Sequence, residues 1–256
     1  MLQWLARGLH KGRITTRYPA RDEPAPPGFQ GRIRVLEASA ASSVIARVCP
    51  TAAITVDEVG RVRLDRGRCI LCGDCVRAHP DRFAFETRYP TASNSRRALI
   101  TGADEHDSEP LRRALGDRMR MLRRSIHVRH IDCGSDGSEE WEIQALWNPY
   151  YDIQRLGFFL TAAPRHADIL LVTGAVTAPM RAPLERTWNV MPEPKALLAV
   201  GTEACTGALT GGATAGGVDQ VMPVDVYVPG SPPSPIAIMH GLLLATGVLR
   251  AAREAA

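Results

Sequence analysis

Cys69-Ile-Leu-Cys72-Gly-Asp-Cys75 is a C-x-x-C-x-x-C run, and a detached Cys49-Pro50 stands upstream of it. Thiolates are soft ligands that suit iron–sulfur clusters and zinc. When a cubane [4Fe–4S] cluster is held by such a run, three thiolates come from the run and the fourth from a remote Cys-Pro. The alternative is a four-thiolate zinc site, because tetrahedral zinc takes the same donors. The three-cysteine run together with the distant Cys-Pro favours iron–sulfur. Cys49, Cys69, Cys72 and Cys75 are therefore the candidate ligands of one cluster.

What flanks these residues limits the count to one. A second cluster of the bacterial ferredoxin kind needs three more cysteines before Cys49, and the same spacing lands on Ser39, Ser42 and Ile45. Its fourth ligand belongs after Cys75, where His79-Pro80 stands. Only His79 among these four can ligate a metal. The expectation is one cluster present and the other absent.

The chain has 256 residues, which suits one or two domains with a buried core. No apolar run approaches the roughly 20 residues needed to span a bilayer. No apolar segment followed by a cleavage site marks a signal peptide at the amino terminus. Six cysteines in a chain of this length do not form a disulfide scaffold, and with a cluster motif they fit a reducing compartment. A net charge of +4, carried mostly by arginine, does not argue for nucleic acid. Arginine does suit fixed ion pairs at subunit contacts.

Residues 1–30 read as an arm. Leu2, Leu5 and Leu9 recur near helical spacing from Met1 to Gly12, which predicts an amphipathic helix that packs on a partner or on its own domain. A membrane surface is the alternative. The proline-rich stretch from Tyr18 to Gly28 excludes helix and central strand. Residues 31–87 read as an α+β ferredoxin-like domain. Ile54–Val56 and Val62–Leu64 are the strands of a hairpin turning at Glu58-Val-Gly60, between Cys49 and Cys69. Residues 88–125 read as a linker containing a helix from Ser108 to Arg124, with Ser108 as cap and Pro110 in the first turn.

Residues 126–256 read as an α/β doubly wound, flavodoxin-like domain with a parallel sheet. Ile126–Ile131 alternates, and Asp168–Thr173 and Ala196–Val200 are short apolar runs closed by glycine, as buried parallel strands are. Helices are expected over Glu139–Leu146, Ile153–Leu160 and Arg181–Val190. Ligands of such sheets bind at the carboxyl ends of strands. The loops Cys133–Ser138, Gly174–Pro179, Gly201–Ala208 and Val228–Pro235 should gather there.

These loops carry recognisable phrases: Pro164-Arg-His-Ala-Asp-Ile-Leu-Leu-Val-Thr-Gly174, Ala199-Val-Gly-Thr202, the segment Gly217 to Gly230 with Met222-Pro-Val-Asp-Val-Tyr-Val-Pro229, and Pro232-Pro-Ser-Pro235. Over about residues 126–250 the chain closely resembles the small electron-transfer subunit of membrane-bound group 4 [NiFe] hydrogenases and formate hydrogenlyase. It is similar to the respiratory complex I subunit that carries the terminal cluster. The front part, with Gly12-Arg-Ile-Thr-Thr-Arg-Tyr-Pro19, resembles the ferredoxin-like subunit of the same complexes. The chain thus resembles a fusion of two neighbouring subunits.

The resemblance implies a terminal [4Fe–4S] cluster in the second domain, on a Gly-Ser-Cys-x-x-Cys stretch, a Gly-Thr-Cys loop and a Pro-Gly-Cys-Pro-Pro loop. Here those ligand positions are Asp136, Glu139, Glu203 and Ser231. Four oxygen donors do not replace four thiolates, so no cluster is expected there. Cys133 and Cys205 lie off register and read as small buried residues. Three ionised acids supply about −3, near the charge of a thiolate-bound cubane. Arg165 and His166 are the candidate cations that pair with them; without such partners the acids should have raised pKa values. Mg²⁺ or Ca²⁺ is the alternative occupant.

Glu142 matches a family glutamate associated with proton movement, and reads equally as a solvated helix residue. His127, His130 and His166 have no metal-ligand spacing. Trp141 and Trp147 read as core or interface. Thr210-Gly-Gly-Ala-Thr-Ala-Gly-Gly217 lacks the lysine of a phosphate loop, and no nucleophile has a plausible base.

The resemblance implies an iron–sulfur subunit of an oxidoreductase complex, peripheral on the cytoplasmic side of the cell membrane. Its partners are a large hydrogenase- or complex I-like subunit and membrane subunits, with a ferredoxin as donor. The chain has no complete active site of its own. The competing class is a structural or coupling subunit whose cluster is a folding staple.

Overall fold

The computed structural model describes residues 3–36, 40–89, 91–101, 108–122, 125–207, 209 and 216–249. Helix α1 (Gln3–Lys11) ends at Gly12, whose φ of 62° is left-handed. Every described side chain of α1 is exposed, Leu9 at 78%. The arm then turns onto the second half of the chain. The Thr16 amide donates to the Tyr150 carbonyl at 2.8 Å, and Tyr18 is buried. Glu23 accepts from the hydroxyls of Thr16 (2.5 Å) and Tyr150 (2.6 Å), and these bonds hold its carboxyl below the usual range against the effect of burial.

The cysteine-bearing unit has four strands: β1 (Arg32–Val35), β2 (Ile54–Val56), β3 (Val62–Leu64) and β4 (Phe83–Glu86), with a 3₁₀ turn at Ser43–Val48 and helix α2 (Asp74–Ala78). β1 pairs antiparallel with β4, Ile33 opposite Phe85, and β2 with β3, Ile54 opposite Leu64. Each half therefore runs strand, helical turn, strand. Asp57 makes the hairpin turn: its Oδ1 accepts from the amides of Val59 and Arg61, and Gly60 supplies the positive φ. Ile33, Ile45, Ile54, Leu64 and Phe83 form the core, with Cys75 inside it.

The stretch from Thr91 to Thr101 stitches this unit to the rest. Ser93 pairs antiparallel with Tyr227, and Asp65 with Ile100. Arg66 N–H donates to the Leu99 carbonyl at 2.9 Å, and Leu99 is buried. Arg96 grips Asp65 through two hydrogen bonds, 2.9 and 2.5 Å. Helix α3 (Ser108–Arg118) follows and buries Leu115, with Met119 buried just beyond it. Arg118 pairs with Asp225 at 2.6 Å. The helix is shorter than the expected 108–124, and the Ser108 side chain lies outside the described residues.

The second sheet is parallel throughout: β5 (Ile126–Asp132), β6 (Phe158–Leu160), β7 (Ile169–Thr173), β8 (Ala196–Val200) and β9 (Val226–Val228), in the order β6-β5-β7-β8-β9. β7, β8 and β9 are wholly buried, which is why they read as unbroken apolar runs. Alternate residues face opposite layers. Ile169, Leu171 and Leu198 meet the buried helix α7 (Pro235–Ala245), while Leu170, Val172 and Leu197 meet the other face, with Leu184 and Cys205. Those two residues lie on α5 (Ala178–Val190) and α6 (Thr202–Thr206). Helix α4 (Ser138–Ala145) follows β5.

One expected helix is different. Ile153–Leu156 is a 3₁₀ turn, Gly157 takes φ 87°, and Phe158–Leu160 becomes the edge strand. A left-handed residue stops the helix and swings Phe158 into register with Ile126. The strand order is that of flavodoxin-like sheets, and its direction reverses between β5 and β7, so the crevice lies at their carboxyl ends.

Candidate cluster site and the adjoining carboxylate edge

Cys49 closes the Ser43–Val48 turn, its amide bonded to the Ala46 carbonyl. Cys69 ends a turn built on Asp65, whose Oδ1 accepts from Gly67 N–H at 2.9 Å. Cys72 is exposed and Cys75 lies in the first turn of α2. Leu71, between Cys69 and Cys72, takes φ 57°, and Gly73, between Cys72 and Cys75, takes φ 77°, so the run coils back on itself. A non-glycine residue there costs about 1–3 kcal/mol and persists only where surrounding structure imposes it.

The four sulfurs share one neighbourhood. Burial pushes the Cys69 thiol up to about 12, and Cys75, Cys49 and Cys72 each add to the rise; burial also raises Cys75, with Cys72 and Cys49 contributing. Backbone amides point at the sulfurs: Ala53 N–H donates to Cys49 Sγ at 3.2 Å, and the Leu71 and Val76 amides bond Cys69 and Cys75. Among the described residues no three His, Cys, Asp or Glu side chains are drawn in tightly enough for a single ion. A four-iron cluster takes one thiolate per iron and so a wider ring. Soft donors, a coiled loop and amides aimed at sulfur fit such a group. The positions where a second cluster would need ligands are otherwise used: Ser42 caps the 3₁₀ turn, Ile45 is core, and His79 N–H closes α2 on the Cys75 carbonyl. Ser39 lies outside the described residues.

The Cys69 loop is seated on the second domain. Thr202 Oγ1 shares its proton between the Cys69 carbonyl (3.3 Å) and the Gly230 carbonyl (3.2 Å), and Thr206 Oγ1 between the Gly67 carbonyl (3.4 Å) and the Thr202 carbonyl of its own helix (3.0 Å). A small cavity at this seam is lined by Ile33, Cys69, Leu71, Pro229 and Gly230.

Asp136, Glu139, Glu203 and Ser231 occupy the loops and helix starts at the carboxyl edge of the sheet. Asp136 is exposed, and Ser138 holds its carboxyl below the usual range through its hydroxyl (2.6 Å) and amide (2.9 Å). Glu139 is 3% exposed. Its carboxyl lies against Gly201, where a β carbon would come within 2.4 Å of Oε1. Burial pushes its pKa up to about 7, with Asp136 and Glu140 adding. Glu203 is half-buried and raised by burial, then by Asp136, Asp132 and Glu140. Ser231 follows Gly230, whose carbonyl accepts from Thr202 N–H at 2.8 Å.

The structure adds three groups that the sequence did not single out as part of this edge. Asp132 accepts from the Gly134 and Ser135 amides, both at 2.8 Å. Glu140 accepts from Ser135 Oγ (2.8 Å) and from Thr173 Oγ1, and stands 3.4 Å from His130 Nε2. Burial lowers the pKa of His130. Asp132 and Glu140 border the loop Cys133–Ser138, and that adjacency was their signal. Arg165 and His166 do not pair with the acids. Both are exposed in a 3₁₀ turn that feeds the amino end of β7, and a parallel strand sends its two ends to opposite edges of the sheet.

Cys133 and Cys205 are fully buried, and burial pushes both thiols up to about 12. Burial also raises Glu142, which is half-buried. Trp147 packs on the main core, whereas Trp141 is 73% exposed and is not core.

This geometry has known relatives. The NADH ubiquinone oxidoreductase, 20 Kd subunit, family matches residues 136–245. Formate hydrogenlyase subunit 7 of Escherichia coli is 41% identical over 133 residues, 51% of this chain and 52% of that one. The probable membrane-bound hydrogenase subunit mbhJ of Pyrococcus furiosus is 40% identical over 142 residues, 53% of this chain and 82% of that one. An uncharacterized protein of Methanocaldococcus jannaschii is 41% identical over 133 residues, 52% and 90%. The chain belongs to the family of the 20 Kd subunit of NADH ubiquinone oxidoreductase. It spans about half the length of the formate hydrogenlyase subunit. No helix among the described residues is long and apolar enough to cross a membrane.

Proposed function

We propose that this chain is the iron–sulfur subunit of a hydrogenase- or complex I-related, membrane-associated oxidoreductase complex. It joins a ferredoxin-like unit to the 20 Kd-type domain, as a fusion of two neighbouring subunits would. Cys49, Cys69, Cys72 and Cys75 hold one [4Fe–4S] cluster, and Asp136, Glu139, Glu203 and Ser231 mark a second site that has lost its thiolates. The convergence of four thiols, with amides aimed at their sulfurs, carries this reading. When bound, such a cluster supplies a one-electron carrier. The chain's own residues exclude water from Cys75, fix the loop around Leu71 and brace Cys69 against Thr202. A large hydrogenase- or complex I-like subunit, membrane subunits and a ferredoxin donor are the partners, at the cytoplasmic face of the membrane.

Iron and sulfide quantification with EPR of the reduced full chain tests it. About four irons per chain are expected. Zinc without iron overturns the ligand assignment, and eight irons overturn the cluster-free second site.

A second reading, a structural or coupling subunit with the cluster as staple, is favoured by the carboxylates where relatives offer thiolates. A large partner subunit lacking its metal-binding cysteines supports it; one retaining them supports redox work.

A further inference from the structure

We propose that Glu139 takes up a proton when the neighbouring cluster accepts an electron, so that the degenerate site balances charge for the surviving one. This rests on the cluster assigned above to Cys49, Cys69, Cys72 and Cys75.

Two geometric facts carry it. The first is a hydrogen-bonded path to solvent. Ser138 Oγ lies 3.2 Å from Glu139 Oε2 and 2.6 Å from Oδ1 of the exposed Asp136. A hydroxyl has one proton to donate. With both carboxylates ionised, Ser138 serves one and leaves the other short. With Glu139 protonated, Glu139 donates to Ser138, and Ser138 donates to Asp136. The proton on Glu139 adds one hydrogen bond to this chain without breaking the Ser138 bonds to Asp136, and the same chain delivers that proton from water.

The second is position. Glu139 rests on Gly201, and the next residue, Thr202, holds the Cys69 carbonyl. The carboxyl is therefore linked to the cysteine loop through Gly201, Thr202 and one hydrogen bond. Negative charge arriving there favours the protonated acid. The charged groups that act on Glu139 work in the same sense: Asp136 from the preceding loop and Glu140 on its own helix are both acids. Helix α7, packed on α4, carries one titratable side chain, His240, which burial and Arg112 keep uncharged near neutrality.

The balance is one electron from a one-electron donor onto the cluster and one proton from solvent onto Glu139. By linkage, the proton must then raise the cluster's affinity for the electron. The midpoint potential of the full chain, titrated with dithionite and followed by EPR, should fall as pH rises from about 6 to 9. Glu139→Gln should abolish that slope, and Glu203→Gln should keep it. A pH-independent potential in the native chain, or an unchanged slope in Glu139→Gln, overturns the proposal. Should Glu139→Gln fail to fold, the infrared difference spectrum of the native chain decides: reduction should add a protonated-carboxyl band, and its absence sinks the idea. Iron is measured first, so a chain without iron counts against the cluster assignment, whereas iron with a flat potential counts against Glu139 alone.

Discussion

The hydroxyl of Thr202 reaches the carbonyl of Cys69 across 3.3 Å, joining the loop that follows β8 to the cysteine run of a unit more than a hundred residues earlier. Thr202 stands one position before Glu203, one of the acids at the carboxyl edge of the sheet. The cysteine run and the oxygen-lined edge are therefore neighbours.

Thr202→Val removes that hydroxyl while keeping the side chain's shape. The Cys69 and Gly230 carbonyls lose the hydroxyl they share, and the expected cost is about 1–2 kcal/mol. Amide exchange at residues 69–71 should quicken while β7 and β8 stay protected. Unchanged exchange around Cys69 would show that the seam is held elsewhere, by Arg96 and Asp65.

Cys72→Ser separates packing from metal. Cys72 is exposed, so its replacement should cost within about 0.5 kcal/mol through packing alone. A metal site is worth far more to a small unit. Loss of iron and unfolding of residues 31–87 under milder denaturant are expected. Full iron content in the variant contradicts the ligand assignment.

Glu139 sets a pH dependence of stability. Its pKa rises on folding from 4.5 to about 7, so the native state binds a proton that the unfolded chain releases. Stability should be greatest below about pH 4.5 on this account and fall as pH rises through 7, by roughly 3 kcal/mol. Glu139→Gln should remove that decline. Urea titrations at pH 5 and pH 8 measure it.

His240 acts at the acid end. Burial, then repulsion from Arg112, lowers its pKa to about 4. The unfolded imidazole protonates first, so stability is lost as pH falls from about 6.5 through 4, again by roughly 3 kcal/mol. His240→Gln should flatten this acid limb. An acid limb of equal depth in the variant assigns it to other groups.

Gly201→Ala tests the seat of Glu139. Gly201 takes φ 95°, and an added β carbon meets Glu139 Oε1 at 2.4 Å. A loss of about 1–3 kcal/mol is expected from the backbone alone, with Glu139 displaced toward water and its pKa falling toward 4.5. Carboxyl titration by NMR reads the shift.

Local patterns carried much of this protein in plain view. Ile54–Val56 and Val62–Leu64 alternate around a turn that Asp57 and Gly60 can make, so the hairpin was readable. The apolar runs at 169–173 and 196–200 are strands because burial on both faces leaves no polar position. The spacing of Cys69, Cys72 and Cys75 was readable as a candidate ligand set. Phe158–Leu160 was not readable, since three residues carry no period and Gly157 decides their fate. Nor was the failure of Arg165 and His166 to meet the acids visible without tracing which end of β7 they enter. The seam between Thr202 and Cys69, the burial of Glu139 on Gly201 and the gathering of Asp132, Glu140 and His130 came only from tertiary structure. Sequence fixes what each residue can do within a few neighbours, while Thr202 meets Cys69 only because two separately cored units pack together, and Glu139 meets Gly201 only because the sheet sets α4 beside the end of β8, which no local period encodes.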